Sequence, residues 1–159
     1  MSGRDDNAIR SRLARGVVAG AAGTTALNVV TYADMAIRAR PASPLPEQDV
    51  RVLAQRASIP LGDGDAAANR ASAAGSLMGY LTGITAGVAW AAAEPLVRRL
   101  PGPLAAAAFG AVVMAATDAS SARLGTTDPR SWSVGDWVSD VVPHLAYGAA
   151  ANATYRAMS

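Results

Sequence analysis

Charged residues are absent from four long stretches of the sequence, and each stretch is rich in Ala, Gly, Val or Leu. The stretches cover residues 16–33, 71–93, 100–117 and 141–155, with lengths of 18, 23, 18 and 15 residues. A helix that crosses the hydrocarbon core of a bilayer, about 30 Å thick, needs about 20 mostly apolar residues. The pattern therefore predicts four membrane-spanning helices, the last of which must accommodate acidic residues at its start.

The turn signals between these stretches divide the chain into helices. Three prolines, at positions 41, 44 and 46, end the first helix, and the Pro101-Gly102-Pro103 turn makes the next two long helices antiparallel neighbours. Residues 47–57 have an apolar face and acids in their first turn, which predicts a short interfacial amphipathic helix. We expect an all-α, four-helix transmembrane bundle in one membrane domain, residues 12–159, after a polar tail, residues 1–11. The predicted long helices cover residues 12–37, 71–100, 104–124 and 134–158.

Two alternatives to this architecture remain open from the sequence. Arg10, Arg12 and Arg15 precede a run of small residues, as the basic region of a signal peptide would. An Ala-rich bundle surrounded by water is the other alternative. Arginine counting assigns no orientation, because seven Arg residues fall on each side of the predicted membrane.

Composition narrows the classes of function. The chain is 51% hydrophobic and 16% charged, against about 25% charged in typical soluble proteins. A net charge of +2 without a dense Arg patch argues against nucleic acid as a partner. With no Cys, one His and no phosphate loop or nucleophile elbow, the sequence offers no enzyme motif and we expect no cofactor.

Glycine rows indicate close packing between helices. In the second long helix a glycine recurs every four residues, and the first helix offers a shorter row with the same spacing. The residues concerned are Gly75, Gly79, Gly83 and Gly87, and Gly16 and Gly20. Such rows let two backbones approach within a membrane. Packing inside the bundle is one interpretation of these rows, and self-association of the chain is another.

Polar residues of the last predicted helix recur at strict four-residue intervals and form one stripe: Asp136, Asp140, His144, Gly148 and Asn152. In an up-and-down bundle, this stripe begins on the same side of the membrane as Asp34 and Asp118. Four acids would therefore lie near one membrane face, with His144 deeper. An ionisable residue at that depth is a candidate functional group.

Three interpretations of this stripe compete. In the first, the polar groups only support packing: Asp34 pairs with Arg38, Glu94 with Arg98, and Asp136 caps its own helix. Asp118, Asp140 and His144 then bond across helices to Asn28 or Tyr32. The second is a proton or cation relay, since His changes charge near neutral pH. The third is a divalent-metal site of Asp118, Asp140 and His144.

Two segments, residues 20–43 and 127–148, carry a resemblance to a known type of protein. The second of them, TDPRSWSVGDWVSDVVPHLAYG, is the more specific. They resemble small actinobacterial polytopic membrane proteins that close with a PHLAYG-type helix, a family without an assigned activity. The resemblance covers about a third of the chain. It implies a membrane location and a helix count, and it carries no functional residue over.

These observations lead to a functional expectation. We expect a multi-pass protein of the plasma membrane that is a non-enzymatic structural or accessory component. Its partners would be the lipid bilayer and other membrane subunits or a second copy of the chain. The alternative is a proton- or cation-coupled translocator that uses Asp118, Asp140 and His144.

Overall fold

In the computed structural model the chain forms six α-helices, four long and two short. The structure describes residues 3–159, with side chains from residue 7 onwards. In this part of the chain there is no strand. The all-α prediction is therefore confirmed. The helices are α1 (Gly3–Arg38), α2 (Leu45–Arg56), α3 (Gly64–Ala92), α4 (Glu94–Val97), α5 (Gly102–Leu124) and α6 (Val134–Ala157).

The long helices alternate in direction, and neighbours in space are not always neighbours in sequence. α1 packs against both α3 and α6, and α6 packs against α5, which gives the order α3–α1–α6–α5. α3 and α5 follow one another along the chain but make few direct contacts. The tight Pro101-Gly102-Pro103 turn thus makes these helices antiparallel without bringing them face to face.

Short helices mark the two ends of the bundle. At the α2 end, α2 packs between the start of α3 and the end of α5. At the α4 end, α4 lies between α3 and α5 near the start of α1 and the end of α6. The helix predicted for residues 47–57 is thus present and packs on the α2 end through Asp49, Val50 and Ala54.

Three predicted boundaries are wrong. The second long helix starts at Gly64 and not at residue 71, because the Ala-rich run at residues 66–68 is already helical. α1 begins at Gly3, so residues 3–11 are helical and not a tail; residues 1 and 2 of that tail lie outside the described part. Neither proline nor glycine occurs from residue 4 to residue 15, and acids at residues 5 and 6 suit a helix start. The second long helix ends at Ala92 and not near residue 100, because Pro95 has no backbone N–H with which to continue it.

The start of α6 agrees with the sequence. Ser133 Oγ accepts a hydrogen bond from the backbone N–H of Asp136 at 3.2 Å, and Asp136 Oδ2 accepts one from the Ser133 N–H at 2.9 Å. This confirms the predicted capping box. Next to it, the rings of Trp132 and Trp137 meet edge to face, with centroids 5.0 Å apart.

An aromatic cluster fills the bundle towards the α4 end. The Trp90 and Phe109 rings stack with centroids 4.3 Å apart, and the Tyr147 ring meets Phe109 edge-on at 5.2 Å. Tyr147 Oη donates a buried hydrogen bond of 2.6 Å to the Gly83 carbonyl oxygen. The cluster connects α3 to α5 at a level where these helices otherwise lie apart.

Two of the four long helices are long and apolar enough to cross a membrane. They are Asn7–Arg38, within α1, and Gly102–Leu124, which is α5. Among the described residues, α3 and α6 do not reach the same criterion. Their sequences explain the difference, since α3 is rich in Gly, Ser and Thr, and α6 contains two Asp residues, one His and one Asn.

Candidate acid–histidine site between α5 and α6

The last two long helices bring together three of the ionisable residues that the sequence singles out. Asp140 and His144 lie one turn apart on α6, and Asp118 of α5 faces both of them. His144 Nδ1 is 3.2 Å from Asp140 Oδ1 and 2.8 Å from the Asp140 carbonyl oxygen. We call Asp118, Asp140 and His144 the acid–histidine cluster.

The side chains of the acid–histidine cluster are largely removed from solvent. The side chain of His144 is 13% exposed and that of Asp140 is 21% exposed. Asp140 Oδ2 is buried and has no hydrogen-bond partner among the described residues. A carboxylate oxygen that is removed from solvent and left without a donor costs free energy unless a proton or a cation compensates it. A proton held by one of the two neighbouring carboxyl groups, Asp118 or Asp140, would offset this cost.

The other predicted site residues lie outside the cluster. Asp34 pairs with Arg38 at 3.3 Å and with Arg40 at 2.5 Å, so the predicted Asp34–Arg38 contact is present. Asp136 is exposed and caps α6. Asn28 is half-buried on α1 and Tyr32 is 62% exposed. Neither forms the predicted cross-helix hydrogen bond to Asp118, Asp140 or His144, and the His144 ring contacts Asp140 of its own helix instead.

Two further interpretations from the sequence do not hold in the described residues. No group of three or more His, Asp or Glu side chains is close enough to bind one metal ion, which removes the support for a divalent-metal site. Glu94 and Arg98 form no ion pair: the Arg98 N–H donates to the Glu94 carbonyl oxygen at helical spacing, but the two side chains do not meet.

The polar stripe of α6 does not continue through the bundle. One turn beyond His144, Gly148 packs against the Ala106 carbonyl and the backbone of Gly110. Asn152, one turn further, donates a 3.2 Å hydrogen bond to the Gly102 carbonyl oxygen and belongs to the α4 end. The cluster is therefore separated from the α4 end by a backbone contact and by the aromatic cluster.

The predicted glycine rows lie mostly at contacts between helices. A Cβ atom on Gly16 would come 2.7 Å from the Gly87 carbonyl oxygen, and one on Gly20 would come 2.5 Å from that of Gly83. Gly75 faces Pro46 of α2, with a Cβ-to-carbon distance of 3.0 Å. Gly79 is different: it is exposed, and a Cβ there would meet nothing within 4 Å.

A buried acid that the sequence analysis missed holds α2 in place. Asp49 is 8% exposed, and its carboxylate accepts hydrogen bonds from Ser121 Oγ at 2.6 Å and from Thr126 Oγ1 at 2.5 Å. The only signal in the sequence is its position beside Val50, on the side of α2 that packs. Its partners are more than 70 residues away along the chain.

The outer surface of α6 carries an apolar groove of about 360 Å³, lined by Val134, Trp137, Val138, Val141 and Val142. A smaller cavity of about 50 Å³ lies beside it at the seam with α5 and reaches His144. Both lie at the α5–α6 side of the bundle.

Comparison with protein-family models, with curated proteins and with solved structures gives no match to this chain.

Proposed function

We propose that the chain is a small integral membrane protein whose four long helices all cross the bilayer, and that it acts as a non-enzymatic structural or accessory component of a membrane complex. The observation that carries this proposal is the outward direction of its large apolar side chains. Each long helix has at least one on its outer surface: Val29 (61% exposed), Leu81 (66%), Val112 (62%) and Leu145 (43%).

The burial of the two most apolar helices supports lipid as their surroundings. Only 28% of the apolar window of α1 and 22% of that of α5 are buried. A core helix of a water-soluble protein would be mostly buried, because exposed aliphatic surface costs about 25 cal/mol per Å² in water. In a bilayer the same surface has no such cost.

Length and charge placement support the inclusion of α3 and α6. Eighteen uncharged residues separate Arg15 from Asp34 on α1, about 27 Å at 1.5 Å per residue, close to the thickness of the hydrocarbon core. Because α3 and α6 run antiparallel to α1 over the same stretch, they would cross the same layer. In α6, Asp140 and His144 face α5, and in α3 the exposed Ser76 donates its hydroxyl to the Ser72 carbonyl oxygen of its own helix.

Spin labels would test this topology. The chain has no Cys, so single cysteines can be placed at Val29, Leu81, Val112 and Leu145 and labelled in liposomes. We expect all four labels to relax faster with oxygen than with a water-soluble nickel complex. A control label at Ser43, in the exposed loop before α2, should respond to nickel. Nickel access at Leu81 and Leu145 alone would leave two crossings, and nickel access at all four would refute a membrane location.

An accessory role is supported by the interior of the bundle. The helices meet backbone to backbone at glycines or around the aromatic cluster, and the groove of about 360 Å³ opens on the outer surface of α6. This groove is better placed to contact another membrane protein than to enclose a substrate. Purification of the tagged chain in mild detergent should yield a partner membrane protein at fixed stoichiometry, and recovery of the chain alone would argue against this role.

The acid–histidine cluster favours a second candidate, a proton- or cation-coupled translocator. Such a protein would have to separate α5 from α6 where Gly110 meets Gly148, because the path from His144 is closed there. In proteoliposomes, Asp140→Asn and His144→Ala should then each abolish a flux of protons or cations while leaving the helical content unchanged. If no flux occurs, or if both variants only lower the thermal stability, the translocator is excluded.

A further inference from the structure

The two ends of the bundle differ in how far acids compensate their arginines. At the α2 end, seven Arg face nine acids, a formal charge of −2. Among described side chains, the α4 end carries six Arg against the single acid Glu94, a formal charge of +5. The six are Arg10, Arg12, Arg15, Arg98, Arg99 and Arg156.

Arg–carboxylate ion pairs are also distributed unequally between the two ends of the bundle. In the part of the chain with described side chains, every Arg–carboxylate pair lies at the α2 end, and these pairs involve Asp34 or Asp128. The hydrogen bond from Arg130, for example, holds the pKa of Asp128 below its ordinary value. Two arginines of the α4 end, Arg15 and Arg156, donate to backbone carbonyls instead, and among the described side chains none of the six forms an ion pair with a carboxylate.

Backbone contacts fix two of these arginines at the ends of helices. Arg15 Nη1 donates to the Met158 carbonyl oxygen at 3.1 Å, and its guanidinium lies 5.5 Å from the centre of the Tyr155 ring. Arg156 Nη2 donates to the Leu100 carbonyl oxygen at 2.9 Å. Both guanidinium groups thus lie where the charge-free stretches 16–33 and 141–155 end. Each guanidinium has further N–H groups that can donate hydrogen bonds.

Unused hydrogen-bonding groups lie at the same place. Arg15 Nε and Tyr155 Oη are buried, and neither has a hydrogen-bond partner among the described residues. Arg12, Arg15 and Glu94 all lie near Tyr155. The α4 end therefore combines excess positive charge with hydrogen-bond donors that lack acceptors.

We propose that the α4 end binds the phosphate groups of anionic phospholipids. This proposal depends on the membrane location proposed above. Guanidinium groups match phosphate oxygens in shape and charge, and arginines at the end of a spanning helix lie at the level of the headgroups. Each basic residue near an anionic membrane surface strengthens binding by about fivefold. The α4 end would accordingly face the leaflet that is richer in anionic lipid.

Two matched double variants test the proposal. Arg98→Gln with Arg99→Gln removes two exposed charges from the α4 end, and Arg51→Gln with Arg123→Gln removes two exposed charges from the α2 end. The purified full chain in dodecyl maltoside is titrated with phosphatidylglycerol or phosphatidylcholine while its thermal unfolding midpoint is followed. We expect phosphatidylglycerol alone to raise the midpoint of the unaltered chain.

The two double variants should differ in the amount of phosphatidylglycerol that raises their unfolding midpoint. The α4-end variant should need about 25-fold more phosphatidylglycerol for the same effect, whereas the α2-end variant should behave like the unaltered chain, with equal helical content in all three. Equal effects of the two lipids, or of the two variants, would overturn the proposal, as would an equal rise with inorganic phosphate. A chain that stays in the aqueous phase without detergent would instead refute the membrane location itself.

Discussion

Replacing Gly20 by Ala should destabilise the bundle, because α1 and α3 meet there backbone to backbone. A methyl carbon on Gly20 would lie 2.5 Å from the Gly83 carbonyl oxygen and 2.8 Å from Ile84 Cα. Nonbonded heavy atoms are in favourable contact at about 3.5–4.0 Å. Both obstructing atoms belong to the main chain, so no side-chain rotation relieves the overlap, and the helices must separate by about 1 Å.

Two opposing contributions determine how much Gly20→Ala changes the free energy of unfolding. Overpacking of this kind costs about 1–3 kcal/mol, and rigid neighbours place it in the upper half of that range. Ala also favours the helix over Gly by about 0.8–1.0 kcal/mol. We therefore expect Gly20→Ala to lower the free energy of unfolding by about 1–2 kcal/mol.

Gly79→Ala is the matched control on the facing helix. No atom lies within 4 Å of a Cβ placed there, so this variant receives the helix-propensity gain alone and should be more stable than the unaltered chain by up to about 1 kcal/mol. The difference between the two variants, about 2–3 kcal/mol, isolates the contact between α1 and α3.

Unfolding in mixed micelles measures both variants. The chain in dodecyl maltoside is titrated with sodium dodecyl sulfate while its helical content is followed by far-ultraviolet circular dichroism. If Gly20→Ala proves as stable as Gly79→Ala, the backbones of α1 and α3 do not approach each other as described, and the reasoning is refuted.

Three further changes probe other contacts in the same assay. Asp49→Asn should cost about 1–3 kcal/mol, because it disturbs two buried hydroxyl hydrogen bonds, and trypsin should cleave the loosened α2 segment faster. Tyr147→Phe removes the 2.6 Å hydrogen bond to the Gly83 carbonyl and should cost about 0.5–1.5 kcal/mol, without a change in tryptophan fluorescence. Ser133→Ala removes the cap of α6 and should cost about 0.5–2 kcal/mol, whereas Ser133→Thr, which keeps the hydroxyl beside the Asp136 carboxylate, should be close to neutral.

Features that depend on neighbouring residues could be predicted from the sequence. The capping box at Ser133 fixes the start of α6, and the Pro101-Gly102-Pro103 turn fixes the start of α5 within two residues. The sequence analysis predicts the second long helix to continue past Pro95 to residue 100, whereas α3 ends at Ala92.

The glycine row of α3 shows what periodicity alone does not determine. Four residues advance about 400° around a helix, so a row at this spacing turns by about 40° per step. Gly75 faces α2, while Gly83 and Gly87 face α1; Gly79 falls between the two contacts and points outwards. Only the positions of the partner helices decide which glycines are packed.

The candidate site was predictable in part for the same reason. Asp140 and His144 share one face of α6 by their spacing, and the alternating directions of the helices place Asp118 at the same end. Asp49 could not be predicted, because its hydroxyl partners come from another helix and the loop after it. Where the stripe of α6 ends is likewise set by the contact of Gly148 with α5.

The position of α1 between α3 and α6 bears on how the chain is assembled during synthesis. α3 and α6 are the less apolar long helices, and each of them packs against α1. In the membrane arrangement proposed above, α1 is synthesised before the other three long helices. α3 would then leave the translocon beside α1, and α6 would leave it when both α1 and α5 are already in place. Under that proposal the two less apolar helices would never be exposed alone to lipid, and deletion of α1 would remove the packing surface of both.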